Sequence, residues 1–301
     1  MNEPINHIGL SGGKDSTALW GWAINESGYP PETIRGSFCD TENEYQEVYD
    51  QIKALDEYGQ KRGIAPVTTL RSMGFLNLAI LKGRFPSARA RFCTERLKME
   101  PTRHHIQYLE WLCGYTVTAH SGVRAAESDE RALLDEYDFD DYLKVPVRRP
   151  LLKWSISDVW HAHQRYGLPI NPIYLQGRRR VGCRLCCMSS KQDVRLTVKH
   201  KPWVIPLYRE WESIVGGTRV KRGIHCDYSS FFPINAVPLS QRSRTITTKS
   251  GEQMKVATID DVARWSQTLR GGTQGGFDFM FEEDNDFDQG LTCKSMMGNC
   301  E

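Results

Sequence analysis

No uninterrupted apolar run in this sequence approaches the roughly 20 residues that a bilayer crossing needs, so an integral membrane protein is not expected. The opening Met-Asn-Glu-Pro-Ile-Asn-His lacks a basic segment followed by an apolar one, which gives no sign of secretion and points to the cytoplasm. An excess of one charge is missing too. Lys plus Arg number 39 against 37 Asp plus Glu, and the net +2 gives no global pull toward nucleic acid, so any basic face must be local. An even cysteine count is also absent. Nine cysteines in a reducing compartment fit metal or catalytic use better than a disulfide frame, and three of them crowd into Cys183, Cys186 and Cys187.

What is present belongs to a chain that folds. The 301 residues can bury one substantial core or two modest ones, and the 10% aromatic content argues against a disordered chain. Short β-rich runs alternate with helical patterns over the first 170 or so residues, the rhythm of an α/β fold with a doubly wound, mainly parallel sheet. Strands are expected at Ile5 to Leu10, Thr33 to Phe38, Ala65 to Leu70 and Tyr115 to Ala119. Helices are expected at Ser16 to Asn25, Asn43 to Arg62, Pro101 to Leu112 and Ser155 to Tyr166. One glycine and two prolines within Gly167 to Pro172 mark the edge of this core, giving a domain over 1–172 and a cysteine-containing extension over 173–301. In the extension only Pro202 to Ile214 reads as a helix, and the tail from 270 is acidic and glycine-rich.

The most informative segment is Ile8-Gly9-Leu10-Ser11-Gly12-Gly13-Lys14-Asp15-Ser16, a strand that runs through two glycines into a helix. Glycines permit close approach of a ligand to the backbone, and a helix N-terminus offers N–H groups and a positive dipole end, so such a turn suits phosphates. Neither Gly-x-x-x-x-Gly-Lys-Ser/Thr nor Gly-x-Gly-x-x-Gly occurs here. The plainer alternative is a capping turn in which Ser11 or Asp15 only satisfies backbone donors; six specified residues at the first strand-to-helix turn favour phosphate. At the end of the second strand, Phe38 and Asp40 read equally as adenosine contacts or as a core aromatic and a helix cap.

Ser-Gly-Gly-Lys-Asp-Ser resembles the pyrophosphate loop of the PP-loop ATP pyrophosphatases, which cleave ATP between the α and β phosphates. Three further segments resemble the phosphoadenylyl-sulfate reductase-like branch of that family. They are Cys93-x-x-x-x-Lys98-x-x-Pro101, Gly122-x-Arg124-x-x-Glu127-Ser128-x-x-Arg131, and the run from Pro150 through Trp160 and Tyr174 to Gly182-Cys183-x-x-Cys186. The resemblance implies an adenine nucleotide alpha hydrolase-like fold. It places Ser11, Gly12, Gly13, Lys14, Asp15 and Ser16 around the phosphates of ATP, with Phe38, Asp40, Gly122, Arg124 and Arg131 as further nucleotide contacts. Lys14, Asp15 and Arg124 are the expected catalytic groups, Lys14 balancing charge on the leaving pyrophosphate and Asp15 assisting Mg2+. Arg124 and Arg131, seven apart, would both face the anion if they share a helical stretch; a surface salt-bridge lattice running into Asp135 to Asp141 is the alternative.

Cys-x-x-Cys spacing is shared by zinc sites, redox dithiols and iron-sulfur sites. The iron-sulfur members of the branch hold a 4Fe-4S cluster with a Cys-Cys pair and a Gly-Cys-x-x-Cys motif. This chain has Cys93, Cys183 and Cys186 but Phe92 where the other cysteine of the pair would stand. Cys187, Cys226, Cys293 and Cys300 are candidates for the fourth ligand, Cys226 or Cys300 preferred and Cys226 taken here, with zinc as the alternative metal. Cys39 and Cys113 read as packed thiols.

The Glu-Cys-Gly-x-His motif of assimilatory sulfonucleotide reductases does not occur. With the full loop, this favours an ATP pyrophosphatase that adenylates an acceptor so that sulfur can replace the activated oxygen. Basic groups at Arg84, Arg89 and Arg91, at Arg148 and Arg149, at Arg178 to Arg180, and at Arg219, Lys221 and Arg222 point to nucleic acid, DNA before transfer RNA. The DNA phosphorothioation ATP pyrophosphatases of bacteria (the DndC and SspD types) look similar on these grounds. A cysteine desulfurase or other sulfur donor, and a homo- or hetero-oligomer, are the partners expected. A transfer RNA thiolation enzyme, a sulfonucleotide reductase and an ATP-sensing subunit are the competing readings.

Overall fold

The structure, a computed structural model, describes residues 4–223, 227–248 and 250–269. In chain order its principal elements are β1 (Ile5–Leu10), α1 (Lys14–Asn25), β2 (Ile34–Asp40), α2 (Gln46–Gln60), β3 (Thr68–Arg71), α3 (Phe75–Lys82), α4 (Glu100–Cys113) and β4 (Val117–His120). There follow β5 (Tyr137–Asp140), β6 (Val145–Arg148), α5 (Ile156–Tyr166), α6 (Lys191–His200), α7 (Val204–Lys221), the hairpin β7 (Arg244–Thr247) and β8 (Gln253–Val256), and α8 (Ile259–Ser266). The described residues form two compact units, 4–72 with 94–183, and 73–93 with 184–269. The sequence reading puts its edge at 172 and does not single out 73–93.

The first unit is built on a six-stranded sheet of order β3-β2-β1-β4-β6-β5, parallel except for β5. β1 to β3 build outward in one direction, and β4 returns to the other side of β1. The carboxyl ends of β1 and β4 therefore form a topological switch point, where open α/β sheets bind ligands. This is the adenine nucleotide alpha hydrolase-like fold that the sequence resemblance implies. β1 is buried over nearly its whole length because helices cover both faces. On one face Ile106 and Leu109 of α4 pack with Ile5, Val117, Ala119, Val145 and Val147. Elsewhere in the unit, Trp20 is wholly buried and its Nε1–H donates to Leu55 O at 3.0 Å. A Cβ at Gly36 or Gly59 would lie 3.0 or 2.8 Å from its ring, so those glycines make room for it.

Helix boundaries follow local chemistry. Pro101 sits in the first turn of α4, where no N–H is needed, and Ser155 with Asp158 forms a capping box at α5. The acid-rich stretch Asp135 to Asp141, weighed in the sequence as the continuation of a surface lattice, supplies β5. Its Asp140 turns inward, accepting the backbone N–H groups of Tyr142 and Leu143 at 2.9 and 2.8 Å.

The second unit has an aromatic core in which Phe75, Phe85, Tyr208, Trp211 and Phe231 stack or meet edge to face. Glu212, 1% exposed, lies beside it. Its carboxylate accepts from Tyr228 Oη (2.6 Å), Phe231 N (2.8 Å) and Ile259 N (3.1 Å), tying α7 to the 227–232 segment and to α8. The sequence reading found α7 in part and did not find α6 or α8.

Candidate active site

β1 stops at Leu10 and α1 starts at Lys14, so the chain turns within Ser11, Gly12 and Gly13. Gly12 takes φ +76°, where L side chains are strained, and a Cβ there would stand 3.1 Å from Val48 Cγ1. The turn is braced by its own hydroxyls. Ser11 Oγ and Ser16 Oγ are 2.9 Å apart, Ser16 Oγ donates to Gly13 O at 3.1 Å, and Gly13 N donates to Ser11 Oγ at 3.2 Å. Gly13, the N-cap of α1, has no side chain to cap it, so the helix turns its positive end to the loop.

The segment 163–174 holds this loop from outside. His163 Nε2–H donates to Lys14 O at 2.8 Å, and Asn171 Nδ2 donates to Gly12 O at 3.2 Å. Tyr174 Oη accepts from Lys14 N at 2.8 Å. Burial pulls His163 below the usual imidazole range, leaving it neutral beside Lys14. His163 and Asn171 escaped the sequence reading, and Tyr174 entered it only as part of a motif; each acts through a backbone group far away in sequence.

A row of alternating charge runs back from the loop. Asp15 is wholly buried; its Oδ2 lies 3.0 Å from Lys14 Nζ and its Oδ1 accepts from Arg124 Nε at 2.6 Å. Arg124 Nη2 stands 3.9 Å from Glu127, which also accepts from Arg131 Nη1 and from Arg124 N, the last at 2.9 Å. Three cations against two carboxylates leave one excess positive charge, which suits a phosphate. Arg124 and Arg131 are brought together by Glu127 through a tight turn (Ala125–Glu127) and a short helix (Asp129–Ala132), not by one continuous helical stretch. Gly122 lies against the same loop, where a Cβ would come 3.2 Å from Asp15 O. Both Asp15 oxygens face cations of this row, so Asp15 is placed to position Arg124.

Beside the loop is a small cleft at the carboxyl ends of β1 and β2, lined by Gly9, Leu10, Ser11, Ser37, Phe38, Cys39, Glu44, Lys98, Thr102 and Gly182. Phe38 is part of that lining. Asp40 is not; its Oδ1 accepts from Glu42 N at 2.9 Å and Tyr49 Oη at 2.8 Å. Glu44 accepts from Thr41 Oγ1 at 2.6 Å, and burial pushes its carboxyl up. Burial also pushes up the Cys39 thiol, which stays protonated against Lys98 O and Thr102, in keeping with a packed thiol. Lys98 and Gly182 belong to the motif segments; Ser37, Glu44 and Thr102 carry no local signal.

Residues 6–189 match the phosphoadenosine phosphosulfate reductase domain, a span that contains the loop, the charge row and the cleft. The chain belongs to this family. Among relatives, it is 32% identical over 315 aligned positions to a 37.8 kDa protein of Escherichia phage 186, covering 90% of each chain. It is 26% identical to adenosine 5'-phosphosulfate reductase 2 of Bacillus subtilis (strain 168), covering 51% of this chain and 61% of that one. The phosphoadenylyl-sulfate reductase of Candida auris, solved as a phosphate complex, aligns with a TM-score of 0.44 and 15% identity over 60% of this chain and 82% of that one.

Measured against the cluster-binding pattern of the phosphoadenosine phosphosulfate reductase family, the cysteines divide. Cys183 closes the first unit, its backbone bridged to Glu44. In the second unit Cys187 donates its proton toward Cys186, and this bond, burial and the neighbouring Cys186 and Cys93 raise its thiol far above the ordinary range. Among the described residues no group of three or more His, Cys, Asp or Glu side chains is arranged to hold a metal ion. Cys226, taken as the fourth ligand, lies outside the described residues, as do Cys293 and Cys300.

Several of the arginines assigned to a nucleic-acid face are used internally. Arg149 is wholly buried and donates to Asp135 O at 2.7 Å, and Arg178 donates to Tyr45 Oη at 3.1 Å. Arg148 lies over Trp22 and Tyr137 and donates to Tyr29 Oη at 2.8 Å. Arg84, Arg89, Arg179 and Arg180 are exposed.

Proposed function

We propose that this chain is an ATP pyrophosphatase that joins AMP to an acceptor oxygen and releases pyrophosphate, preparing the acceptor for sulfur incorporation. The observation that carries the reading is the braced Ser11 to Ser16 turn at the positive end of α1, backed by the Lys14-Asp15-Arg124-Glu127-Arg131 row. A sulfonucleotide has no β,γ-pyrophosphate for such a loop to grip. In the proposed step the acceptor oxygen attacks the α phosphorus, the bond to the oxygen bridging to the β phosphorus breaks, and pyrophosphate leaves with the electron pair. The loop N–H groups and Lys14 stabilise the charge that develops on it, while Arg124, fixed by Asp15, faces the same anion. Bound ATP would supply the leaving group and the adenylate.

The acceptor we favour is nucleic acid, DNA before transfer RNA, with the exposed Arg179 and Arg180 as backbone contacts. Sulfur would come from a cysteine desulfurase or another donor, and DNA phosphorothioation is the modification proposed. A sulfonucleotide reductase is the second reading, favoured by the family and by the Bacillus subtilis relative. The test is incubation with ATP carrying label in the α phosphate, with and without DNA or transfer RNA. The proposal expects pyrophosphate and an adenylate, stimulated by the acceptor. In a parallel incubation with adenosine 5'-phosphosulfate and a dithiol reductant, release of sulfite and AMP as the dithiol is oxidised to a disulfide, with ATP untouched, would favour the second reading.

A further inference from the structure

His7 and Ser37 are buried polar residues on adjoining strands. His7 in β1 is wholly buried and Ser37 in β2 is 1% exposed. The His7 Nε2 atom lies 2.8 Å from Ser37 Oγ. Ser37 stands in register with Gly9 and forms part of the lining of the cleft, as Gly9 does. Because Gly9 has no side chain, a ligand at the end of β1 can approach the floor that Ser37 provides.

The other ring nitrogen of His7, Nδ1, is buried and has no hydrogen-bond partner. Burial holds the ring far below its usual range, at about 3, so it is neutral and carries one proton. A buried N–H without an acceptor is rarer and costlier than a bare lone pair. The proton therefore belongs on Nε2, directed at Ser37 Oγ. With Oγ accepting from His7, the Ser37 hydroxyl hydrogen is left to point elsewhere, and the cleft is where a partner can stand. His105, whose ring centroid is 5.7 Å from that of His7 and whose Nε2 also lacks a partner, offers no hydrogen bond that would favour the other tautomer.

We propose that Ser37 is a hydrogen-bond donor at the floor of the cleft, fixed in that role by His7, and that it selects a nucleoside presenting an acceptor atom there. Ser37 is the specificity-determining residue and His7 its positioning residue. The acceptor belongs to the nucleoside half of the ligand, because the phosphate loop lies at the end of β1 while Ser37 sits inside β2. A purine ring nitrogen and a ribose oxygen share this chemistry. The inference rests on the nucleotide reading of the cleft.

The test is equilibrium binding of ATP and of adenosine 5'-phosphosulfate to the full chain, repeated with 1-deaza, 3-deaza and 7-deaza ATP and with 2'-deoxy and 3'-deoxy ATP. On the wild-type protein one analogue is expected to bind about tenfold more weakly than ATP, and its identity tells ring nitrogen from ribose oxygen. Ser37→Ala should weaken ATP by a similar factor and bind that analogue with no further loss. His7→Leu should reproduce the loss, and His7→Gln, which keeps a donor toward Ser37, should restore affinity. A purely structural role would lower the melting temperature without collapsing the difference between ATP and the one analogue. Wild-type binding unchanged across all analogues, or Ser37→Ala binding ATP as tightly as wild type, overturns this proposal and leaves the nucleotide reading standing. Failure of the wild-type protein to bind either nucleotide overturns both.

Discussion

Asp15 and Arg124 lie 109 residues apart in the chain, yet Arg124 Nε meets Asp15 Oδ1 at 2.6 Å in a fully buried contact. The sheet order accounts for the meeting. β1 and β4 are parallel neighbours, so the segments that leave their carboxyl ends emerge side by side. The pair thus joins the phosphate loop to the Gly122 to Arg131 segment and fixes the arginine before any ligand arrives.

Two neighbours in the loop are expected to respond differently to truncation. Lys14→Ala should remove a charge near the anion and lower pyrophosphate release by a factor of about 100 or more, with little change in stability. Asp15→Ala instead leaves Arg124 buried without its carboxylate, a change that costs about 3–5 kcal/mol. Urea unfolding of both variants checks this. Equal stability of the two would show that the Asp15 to Arg124 pair is not the buried contact described.

Gly122→Ala tests the packing behind the loop. The new Cβ would stand 3.2 Å from Asp15 O and 3.3 Å from its carbonyl carbon, so the backbone that carries Lys14 and Ser16 must shift. A misplacement of a few tenths of an ångström should raise KM for ATP roughly tenfold while the protein stays folded. Steady-state kinetics with a thermal melt measures both, and unchanged KM would contradict the close approach.

Glu212 predicts a pH dependence of the second unit. Burial pushes its carboxyl up from 4.5 to about 7, against the pull of its three hydrogen-bond donors. Where the folded form binds the proton more tightly than the unfolded chain, stability falls as pH rises. Its contribution is therefore full below about pH 4.5 and is lost as pH rises through about 7, on the order of 3 kcal/mol in all. Melting temperature followed from pH 4.5 to 8 should show this decline. Glu212→Gln should flatten the slope, although its amide also faces the Phe231 and Ile259 N–H groups and lowers stability throughout.

The sequence discloses the parts of this fold whose causes are local. Ile5–Leu10 reads as a strand because its Ile and Leu residues run into the glycine turn at Gly12 and Gly13, and α5 announces itself through Ser155 and the left-handed Gly167. β5 and β6 escape because Asp138, Asp140 and Pro146 disguise them; the polar residues are satisfied by turns and by Arg149, contacts that depend on the finished fold. The loop was legible as a motif, but the burial of Asp15 was not, since its partners come from elsewhere in the fold. The same limit applies to the arginines. Arg149 and Arg178 look like surface charge in sequence and are buried ligands of Asp138 and Tyr45.

The central claim, that the Ser11 to Ser16 turn grips the phosphates of ATP so that AMP can be transferred, is tested most directly by following both fragments of ATP in one reaction. ATP labelled separately in the α and γ phosphates, incubated with the protein and nucleic acid, should give γ label in pyrophosphate and α label in an adenylate, and Lys14→Ala should give neither. Gamma label appearing as inorganic phosphate with ADP as the other product, or equal turnover by Lys14→Ala, would contradict the account.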